Sequence, residues 1–558
     1  MWWKELTGYQ IYPRSFKDSN GDGIGDLKGV IEKLDYLKEL GIDLIWICPF
    51  YKSPNDDNGY DISDYQDISE EFGEMEDVDR LLKEAHKRKM KLIIDLVINH
   101  TSDEHPWFID SRKSIDNDKR DWYIWKEGKD GKEPNNWESI FKGSAWEFDE
   151  KTKEYYLHLF SKKQPDLNWE NKNMRKAIYK MINWWLDKGI DGFRVDAISH
   201  IKKEKGFPDM PNPKKEKYVE AYNMHMNRPG IQKYLKELKN ETFDKYNIVT
   251  VGEANGVGTE NALEWVGEKK GKFNMIFQFE HLSLWDYEKE IKFSAKNYKR
   301  ILNKWQMALE EDGWNALFIE NHDITRSVSR WGNDDKYWLE SAKSLGVAYF
   351  LQKGTPFIYQ GQEIGMTNVK FENIFQVNDI RSKNEAREKL LDGNSMKKVL
   401  DFLNNTSRDN SRTPMQWSSG KNAGFTTGIP WLKVNENYKF INVENQIKDK
   451  NSIYNFYKKL INLRKNSRTL IYGKFNLILK NIEDVFVYSR ILENEEYLII
   501  SNLSDKIKKI KIKGYDNKEK ELILKNYREC DHFLGRMILK PYECLVYKIE
   551  NKNIKRGE

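Results

Sequence analysis

Acidic, basic and histidine side chains follow several short apolar segments of the chain, at the positions where those segments end. Arg194 and Asp196 end one segment, Glu253 ends a second, and His322 and Asp323 follow a third. Asp and Glu are depleted inside strands and are costly to bury without a partner. Carboxylates repeated at strand ends therefore indicate acid–base or nucleophilic chemistry rather than core packing.

Two carboxylates of this kind are enough to hydrolyse a glycosidic bond. An ionised carboxylate attacks the anomeric carbon, while a protonated one donates to the leaving oxygen. Arg194 precedes Asp196 by two residues, so both side chains point to one face of a strand, and the fixed cation is expected to lower the pKa of Asp196. Glu253 would then be the acid, kept protonated by partial burial and neighbouring negative charge. Each residue alone could instead be a cap or an ion-pair partner, but three carboxylates at one rim favour catalysis.

The elements that carry these residues alternate regularly. Strand-like apolar segments alternate with amphipathic helical patterns, which is typical of an α/β protein with a parallel sheet and crossover helices. Eight strands are predicted, the number that closes a (β/α)8 TIM barrel, in which catalytic groups lie at the carboxyl ends of the strands. Gly41 is expected to end the first helical segment. The predicted strands are residues 8–12, 44–47, 92–97, 192–195, 248–251, 275–279, 316–319 and 356–359.

Two stretches depart from this alternation. Residues 102–172, after the third strand, are polar and rich in Trp, and we interpret them as a small loop-rich domain inserted into the barrel. Beyond about residue 470 the helical patterns stop and strand-like segments alternate with turns. We therefore predict a catalytic barrel of residues 1–101 and 173–472, an inserted domain of residues 102–172, and a C-terminal all-β sandwich domain of residues 473–558.

The composition excludes several functional classes. The chain has 558 residues, 93 Lys and Arg against 88 Asp and Glu, and a formal net charge of +5, so no nucleic-acid partner is indicated. It contains neither a bilayer-spanning apolar run nor a signal-peptide pattern, so we expect a soluble cytoplasmic protein with no membrane partner. Cys48, Cys530 and Cys544 are too scattered for a disulfide framework and are interpreted as structural thiols. The 13% of aromatic residues suits sugar-binding surfaces as well as a core.

Ordered motifs along nearly the whole chain resemble those of the α-amylase superfamily of glycoside hydrolases, and more closely those of its oligo-1,6-glucosidase and α-glucosidase branch. So many motifs in one order exclude chance agreement. The matching segments are QIYPRSF at 10–16, NDDNGYD at 55–61, DLVINH at 95–100, QPDLN at 164–168, GFRVD at 192–196, Glu253, NHD at 321–323 and RTPMQW at 412–417.

The resemblance implies a role for each matching residue. Asp196 would be the nucleophile that forms a covalent glycosyl-enzyme, Glu253 the general acid/base and Asp323 the stabiliser of the transition state, with net retention of the α configuration. Arg408 remains an alternative to Arg412 as the sugar-binding arginine. The residues expected to bind the substrate are Asp57, Tyr60, His100, Phe160, Arg194, Ala197, His322 and Arg412.

The residue after the nucleophile is expected to influence which linkage is cut. In the branch that the sequence resembles, valine at this position accompanies α-1,6 activity, whereas alanine or threonine accompanies α-1,4 activity, and here the residue is Ala197. A difference of one or two methyl groups in a pocket is worth only about 1–3 kcal/mol, so it tilts specificity without making it absolute. We expect an exo-acting α-1,4-glucosidase of the maltase type, acting on maltose and short malto-oligosaccharides as a monomer or weak homo-oligomer.

Several alternatives stay open or are excluded by particular residues. An oligo-1,6-glucosidase and a sucrose-active hydrolase or isomerase share this catalytic set, but residues 281–288 lack the Arg-Leu-Asp-Arg-Asp loop of sucrose isomerases. Ile324 and Thr325 replace the Gln and the Pro or Thr that are usual after the NHD motif, which concerns the leaving-group side of the site. A non-catalytic relative associated with amino-acid transporters is disfavoured because all three carboxylates are present and no membrane segment precedes the barrel.

A second motif, near the N-terminus, has the oxygen ligands and glycines of a cation-binding loop. An EF-hand is disfavoured because its twelfth position is Gly29 rather than glutamate. The family counterpart is one structural Ca2+ site, although Mg2+ is not excluded, and the alternative is a metal-free turn built on Asx hydrogen bonds. The expected ligands are Asp18, Asn20, Asp22, the Ile24 carbonyl and Asp26.

Overall fold

The computed structural model describes residues 1–516, 518–529 and 536–550. Eight parallel strands form one sheet, hydrogen-bonded in the order β6-β5-β4-β3-β2-β1-β8-β7. A parallel bridge between Ile276 and Asn315 joins the two outer strands, so the sheet closes into a barrel. The strands are β1 (Gly8–Ile11), β2 (Leu44–Ile47), β3 (Lys91–Val97), β4 (Gly192–Asp196), β5 (Val249–Glu253), β6 (Met275–Phe277), β7 (Ala316–Leu317) and β8 (Thr355–Tyr359). All eight predicted strands and the predicted barrel are confirmed.

Helices surround the barrel, and their apolar faces pack against its strands. The first begins after Asp26, whose carboxylate accepts the Gly29 N–H at 2.7 Å, and the following one ends at Gly41 with φ +108°, as predicted. No helix in the described ranges is both long enough and apolar enough to cross a bilayer. The main helices are Leu27–Glu32, Leu34–Leu40, Met75–Lys87, Lys172–Asp187, Ile231–Glu241, Ala262–Val266, Ala295–Ala308, Ser327–Trp331, Trp338–Phe350, Ile380–Leu391, Met396–Thr406, Asp409–Arg412, Val443–Lys448, Ile453–Lys465 and Arg468–Tyr472.

The long segment between β3 and the helix Lys172–Asp187 forms a small unit on the carboxyl side of the barrel. It contains an antiparallel sheet of the strands Trp125–Lys126, Glu154–Leu157 and Trp146–Asp149. It has its own apolar cluster, which includes the fully buried Trp137. The structure thus places a unit where the sequence predicts an insertion, whereas the exact boundaries 102–172 stay a prediction.

The described residues after 473 form strands and turns and contain no helix, as predicted. One antiparallel sheet has the order β9-β10-β11-β15-β13, and β12 pairs with β14 in a second sheet; apolar residues of both sheets share one cluster. Residues 551–558 and Cys530 lie outside the described residues, whereas Cys48 and Cys544 are buried. The strands are β9 (Lys474–Ile478), β10 (Val485–Leu492), β11 (Glu495–Asn502), β12 (Lys508–Ile510), β13 (Lys520–Lys525), β14 (Met537–Leu539) and β15 (Cys544–Glu550).

A buried lysine joins this C-terminal unit to the barrel. Lys299, on the helix Ala295–Ala308, donates from Nζ to the carbonyl oxygens of Leu479 at 3.0 Å and Val485 at 3.1 Å, and also to that of Ile482. Burial lowers the pKa of Lys299 to about 8. The ammonium group therefore gives all three carbonyl oxygens a donor, and the Leu479 oxygen also accepts the Ile482 N–H at 3.3 Å.

Candidate active site

Two of the predicted catalytic carboxylates end neighbouring strands and share one arginine. Asp196 is the last residue of β4 and Glu253 the last residue of β5. Arg194 Nη1 donates to Asp196 Oδ1 at 2.7 Å, and Arg194 Nη2 lies 2.9 Å from Glu253 Oε2. Two carboxylates on adjacent nitrogens of one guanidinium group are held close together, as in retaining glycosidases, where the separation is about 5–5.5 Å.

The chain turns sharply directly after Asp196. Ala197 has φ +43° and ψ +28°, a left-handed conformation that few residues other than glycine adopt. The turn directs the Ala197 N–H to Glu253 Oε2, at 2.7 Å. With Arg194 on the same oxygen, Glu253 Oε2 accepts two donors, which leaves Oε1 as the oxygen able to carry a proton.

A buried aspartate on β3 fixes Arg194 from below. Asp95 Oδ1 accepts from Arg194 Nη1 at 2.6 Å, and Asp95 Oδ2 accepts from Trp46 Nε1 at 2.9 Å and from the Tyr60 hydroxyl at 3.1 Å. Burial raises the pKa of Asp95 to about 6, although Arg194 acts in the opposite direction. The predicted sugar-binding residues Arg194 and Tyr60 are therefore linked through Asp95.

The protonation of Asp196 differs from the expectation. Burial and the neighbouring Glu253 carboxylate raise the pKa of Asp196 well above its ordinary value, and the lowering effect of Arg194 does not reverse this. The sequence-based expectation of a lowered pKa was wrong because it considered Arg194 alone. Two carboxylates this close titrate as a pair that readily binds one proton between them, and a retaining mechanism needs one proton on such a pair.

The third predicted carboxylate, Asp323, lies in a cationic environment. Its Oδ1 accepts from Arg412 Nη2 at 2.8 Å and from Arg408 Nη1 at 3.1 Å. Burial alone would raise the pKa of Asp323, but the surrounding positive charge lowers it well below its usual range. Burial also lowers the pKa of the adjacent His322 to about 3, so the two arginines are the cations that keep Asp323 ionised.

His322 is held between rings and an amide. Its ring stacks on Tyr60 with centroids 5.2 Å apart and planes 7° apart, and its Nδ1 lies 2.7 Å from Gln10 Nε2. Arg412 Nε donates to the His322 carbonyl oxygen at 2.9 Å. Three predicted sugar-binding residues thus lie in contact with one another beside Asp323.

The inserted unit supplies side chains that lie beside the predicted sugar-binding residues of the barrel. Phe160 packs against His100 with ring centroids 5.1 Å apart. Gln164 Nε2 lies 3.2 Å from both His100 Nε2 and Asp57 Oδ2, and burial lowers the pKa of His100 to about 4, so its ring is neutral. The predicted residues Asp57, His100 and Phe160 are therefore brought together across the boundary between barrel and insertion.

Sequence reasoning missed some members of this arrangement. The sequence analysis gives no separate role to Gln10, Asp95 and Gln164, which it includes only as parts of motifs. In the structure each of them contacts a predicted sugar-binding residue. Arg408 was weighed only as an alternative to Arg412, whereas both arginines contact Asp323. A usable signal existed for Arg408, since a residue four positions before Arg412 lies on the same side of a helical turn.

The predicted metal loop lies apart from the carboxylates, between β1 and the first helix. Asp18 Oδ1 accepts the Asn20 N–H at 2.9 Å, Asn20 Oδ1 accepts the Asp22 N–H at 2.9 Å, and Asp22 Oδ1 accepts the Ile24 N–H at 2.8 Å. Burial of Asp18 raises its pKa, but hydrogen bonds from Thr426 and backbone amides lower it overall. These oxygens are hard donors of the kind that Ca2+ takes, so the residue types fit calcium. In the described ranges, however, no three His, Cys, Asp or Glu side chains are grouped closely enough to hold a metal, and calcium stays a proposal.

A closed (β/α)8 barrel with three clustered carboxylates at the carboxyl ends of its strands is an arrangement suited to glycoside hydrolysis, and the similar proteins place the chain among the glycoside hydrolases. The chain belongs to the α-amylase family, because the catalytic domain of alpha amylase matches residues 10–473.

The chain is 58% identical over 547 residues to probable oligo-1,6-glucosidase 3 of Bacillus subtilis, covering 98% of this chain and 99% of that one. It is 53% identical over 558 residues to oligo-1,6-glucosidase of Bacillus cereus, with the same coverage. A solved structure of trehalose-6-phosphate hydrolase of Bacillus licheniformis, a mutant, matches with a TM-score of 0.94 at 43% identity, covering 98% of this chain and 100% of that one.

Proposed function

We propose that this glycoside hydrolase is an oligo-1,6-glucosidase, which removes terminal α-1,6-linked glucose from short oligosaccharides such as isomaltose. The observation that carries the proposal is the full-length similarity, above half identity, to two relatives that bear this name. The same observation speaks against the maltase-type specificity expected from the sequence. A cytoplasmic location and a monomeric or weakly oligomeric state stay predictions.

An α-1,4-glucosidase of the maltase type is the second candidate, and Ala197 favours it. The residue follows the nucleophile directly, and its methyl group is smaller than the valine that accompanies α-1,6 activity in the branch that the sequence resembles. A pocket difference of this size is worth about 1–3 kcal/mol, which is less weight than two full-length relatives carry.

The proposed mechanism retains the anomeric configuration in two steps. Asp196 attacks C1 of the terminal glucose through Oδ2, since Arg194 binds Oδ1, and the bond between C1 and the glycosidic oxygen breaks. Glu253 gives its proton to that oxygen, so the aglycone leaves as an alcohol and a β-glucosyl ester of Asp196 remains. Glu253 then takes a proton from water, the water oxygen bonds to C1, and the ester bond breaks to release α-glucose.

The remaining residues bind the sugar and stabilise charge. Asp323, ionised between two arginines, stabilises the positive charge that develops on the glucose ring in the transition state. Asp57, Tyr60, His100, His322 and Arg412 are proposed to bind glucose hydroxyls, and Phe160 to pack on the sugar face. The inserted unit covers one side of the site through Phe160 and Gln164, which supports the proposal of an exo-acting enzyme.

The test is the ratio of kcat/KM for isomaltose to that for maltose, measured on the purified full chain. A ratio clearly above one supports the proposal, and a ratio clearly below one overturns it in favour of the α-1,4 candidate. Sucrose and trehalose 6-phosphate belong in the same panel. Isomaltulose or trehalulose as the main product from sucrose would overturn hydrolysis as the main reaction, and a preference for trehalose 6-phosphate would overturn both candidates.

A further inference from the structure

We propose that Glu320 and Arg326 are positioning residues, which hold the third carboxylate and one of its arginine partners in place. The inference rests on the proposed function, in which Asp323 stabilises the charge that develops on the glucose ring and Arg412 binds the sugar. The other two carboxylates are the last residues of β4 and β5, whereas β7 ends at Leu317 and Asp323 lies in the loop beyond it. Contacts outside the sheet must therefore fix the position of Asp323.

The ion pair of Glu320 and Arg326 closes the loop that contains Asp323. Arg326 Nη1 donates to Glu320 Oε1 at 2.7 Å, so the two side chains meet across the segment 321–323. Glu320 Oε2 accepts the Ser327 N–H at 2.9 Å and the Ser327 hydroxyl at 2.7 Å. Both oxygens of one carboxylate thus bind the end of the loop to its beginning.

Arg326 also binds two backbone carbonyls that neighbour the site. Its Nη1 donates to the Gln360 carbonyl oxygen at 2.7 Å, directly after β8, and its Nη2 donates to the Ser411 carbonyl oxygen at 3.0 Å. Ser411 precedes Arg412, which donates to Asp323 at 2.8 Å. One guanidinium group therefore joins the loop after β7, the end of β8 and the turn that carries Arg412.

The surroundings of the pair leave it little freedom to move. Both side chains are buried. Arg326 Cζ lies 5.1 Å from the centre of the Tyr359 ring, and the Tyr359 hydroxyl donates to the same Ser411 carbonyl oxygen at 2.8 Å. Because a guanidinium group is planar and its N–H groups have fixed directions, these contacts specify one arrangement of the loop and the turn.

The contacts of the pair are made to protein groups, which is why we assign positioning rather than substrate contact to it. The alternative is an ion pair that only stabilises the fold. Loss of such a pair would lower the Tm without a selective effect on ligands. A displaced Asp323, in contrast, should weaken binding of a cationic iminosugar, which carries positive charge as the transition state does, more than binding of neutral glucose.

The experiment measures kcat/KM on an aryl α-glucoside, Ki for a cationic iminosugar, Ki for glucose, and Tm in R326K and E320Q. Lysine keeps the charge but replaces two separate nitrogens by one. Glutamine offers one acceptor oxygen where Glu320 uses two, so it must give up either Arg326 or Ser327. In both variants we expect kcat/KM and the affinity for the iminosugar to fall about tenfold or more, and the affinity for glucose to fall about threefold or less.

The matched control is R464K. Arg464 is also fully buried, and it donates to the carbonyl oxygens of Leu6 at 3.1 Å and Gly354 at 2.7 Å. These two residues precede β1 and β8, so Arg464 lies at the amino ends of the strands, away from the carboxylates. R464K should therefore lower the Tm while kcat/KM and both Ki values stay within about twofold of wild type.

The inference is overturned if either variant that folds keeps kcat/KM within about threefold of R464K, or if it loses affinity for glucose and the iminosugar equally. Should neither R326K nor E320Q fold, E320Q/R326Q decides by the same limits, because it leaves no buried charge without a partner. A wild-type chain that cleaves no α-glucoside would instead contradict the proposed function.

Discussion

Arg194 and Asp196 point to the same face of β4, and Arg194 Nη1 donates to Asp196 Oδ1 at 2.7 Å. The same guanidinium group lies 2.9 Å from Glu253 on the next strand. One buried cation thereby binds both carboxylates that we propose to react, and Asp95 binds the same guanidinium group at 2.6 Å. The alternation of side chains along a strand is enough to produce this relationship between the first two residues.

The nucleophile assignment predicts a near-complete loss of turnover in D196N. Asparagine has nearly the same shape but cannot form the glucosyl ester, so kcat should fall by about 10⁴-fold or more while the circular dichroism spectrum and Tm stay close to wild type. D187N, at an exposed position on the helix Lys172–Asp187, is the control and should keep full activity. Retained turnover in D196N would rule out the mechanism proposed here.

The raised pKa of Asp196 predicts how the acid limb of the pH–activity profile depends on the Glu253 carboxylate. Burial and the Glu253 carboxylate both raise this pKa, so activity is lost as the pH falls through a value above that of an ordinary aspartate. E253Q removes the neighbouring negative charge and should move the acid limb to lower pH. The measurement uses α-glucosyl fluoride, whose leaving group needs no proton, and E237Q is the control. An acid limb that stays in place or rises would contradict the coupling of the two carboxylates.

Ala197 predicts a shift of linkage preference. A197V should raise the ratio of kcat/KM for isomaltose to that for maltose by about tenfold relative to A197T. Threonine has the same branched shape as valine, so both variants carry the same strain at a left-handed position and should lose comparable stability. Equal ratios in the two variants would show that the residue after the nucleophile does not set the linkage.

The loop around Asp18 predicts stabilisation by calcium. If the five proposed ligands bind Ca2+, millimolar calcium should raise the Tm above its value in EDTA, and isothermal titration should give one site per chain. D22N should weaken binding while it keeps the turn, because asparagine can still accept the Ile24 N–H. A Tm that is the same in calcium, magnesium and EDTA would mean that the loop is a metal-free turn.

Lys299 predicts a pH-dependent contribution to stability. K299M removes the ammonium donor from three backbone carbonyls, which should lower the free energy of unfolding by about 2–4 kcal/mol. The folded pKa of about 8 lies below the unfolded value near 10.4, so the unfolded chain binds more protons between these values, and the difference between wild type and K299M should grow as the pH rises through this range. Chemical denaturation at pH 7.5 and pH 9.5, on about the two sides of the folded pKa, measures this difference, and a difference that shrinks at the higher pH would contradict the prediction.

The fold was predictable because its signals are local. Alternating helical and apolar patterns located all eight barrel strands, and Gly41 marked a helix end. The predicted strands at 275–279 and 316–319 were too long, since β6 ends at Phe277 and β7 at Leu317. Apolar residues continue past both ends, and periodicity cannot indicate where hydrogen bonding to a neighbouring strand stops.

Site residues that belong to a motif were predictable from the sequence. Their pKa values were less predictable, because these depend on burial and on neighbouring charges. Asp57 and His100 were found by motif alone. The direction of the Asp196 pKa was missed because its burial and the approach of Glu253 are properties of the closed barrel and not of sequence spacing. The aromatic content was equally ambiguous: Trp137, Trp146 and Trp185 are fully buried and fill cores, whereas Phe160 is only partly buried and packs against His100.

The inserted unit contributes Phe160 and Gln164, which contact His100 and Asp57, but none of the three carboxylates. One part of the proposed sugar-binding wall is thus encoded in a different stretch of the gene from the carboxylates, whereas Asp57, His100 and Ala197 belong to the barrel. Exchange of the inserted unit between relatives is expected to change which sugars the enzyme accepts while the three carboxylates stay in place. For directed evolution, a library confined to this stretch would explore new substrates at little risk to turnover.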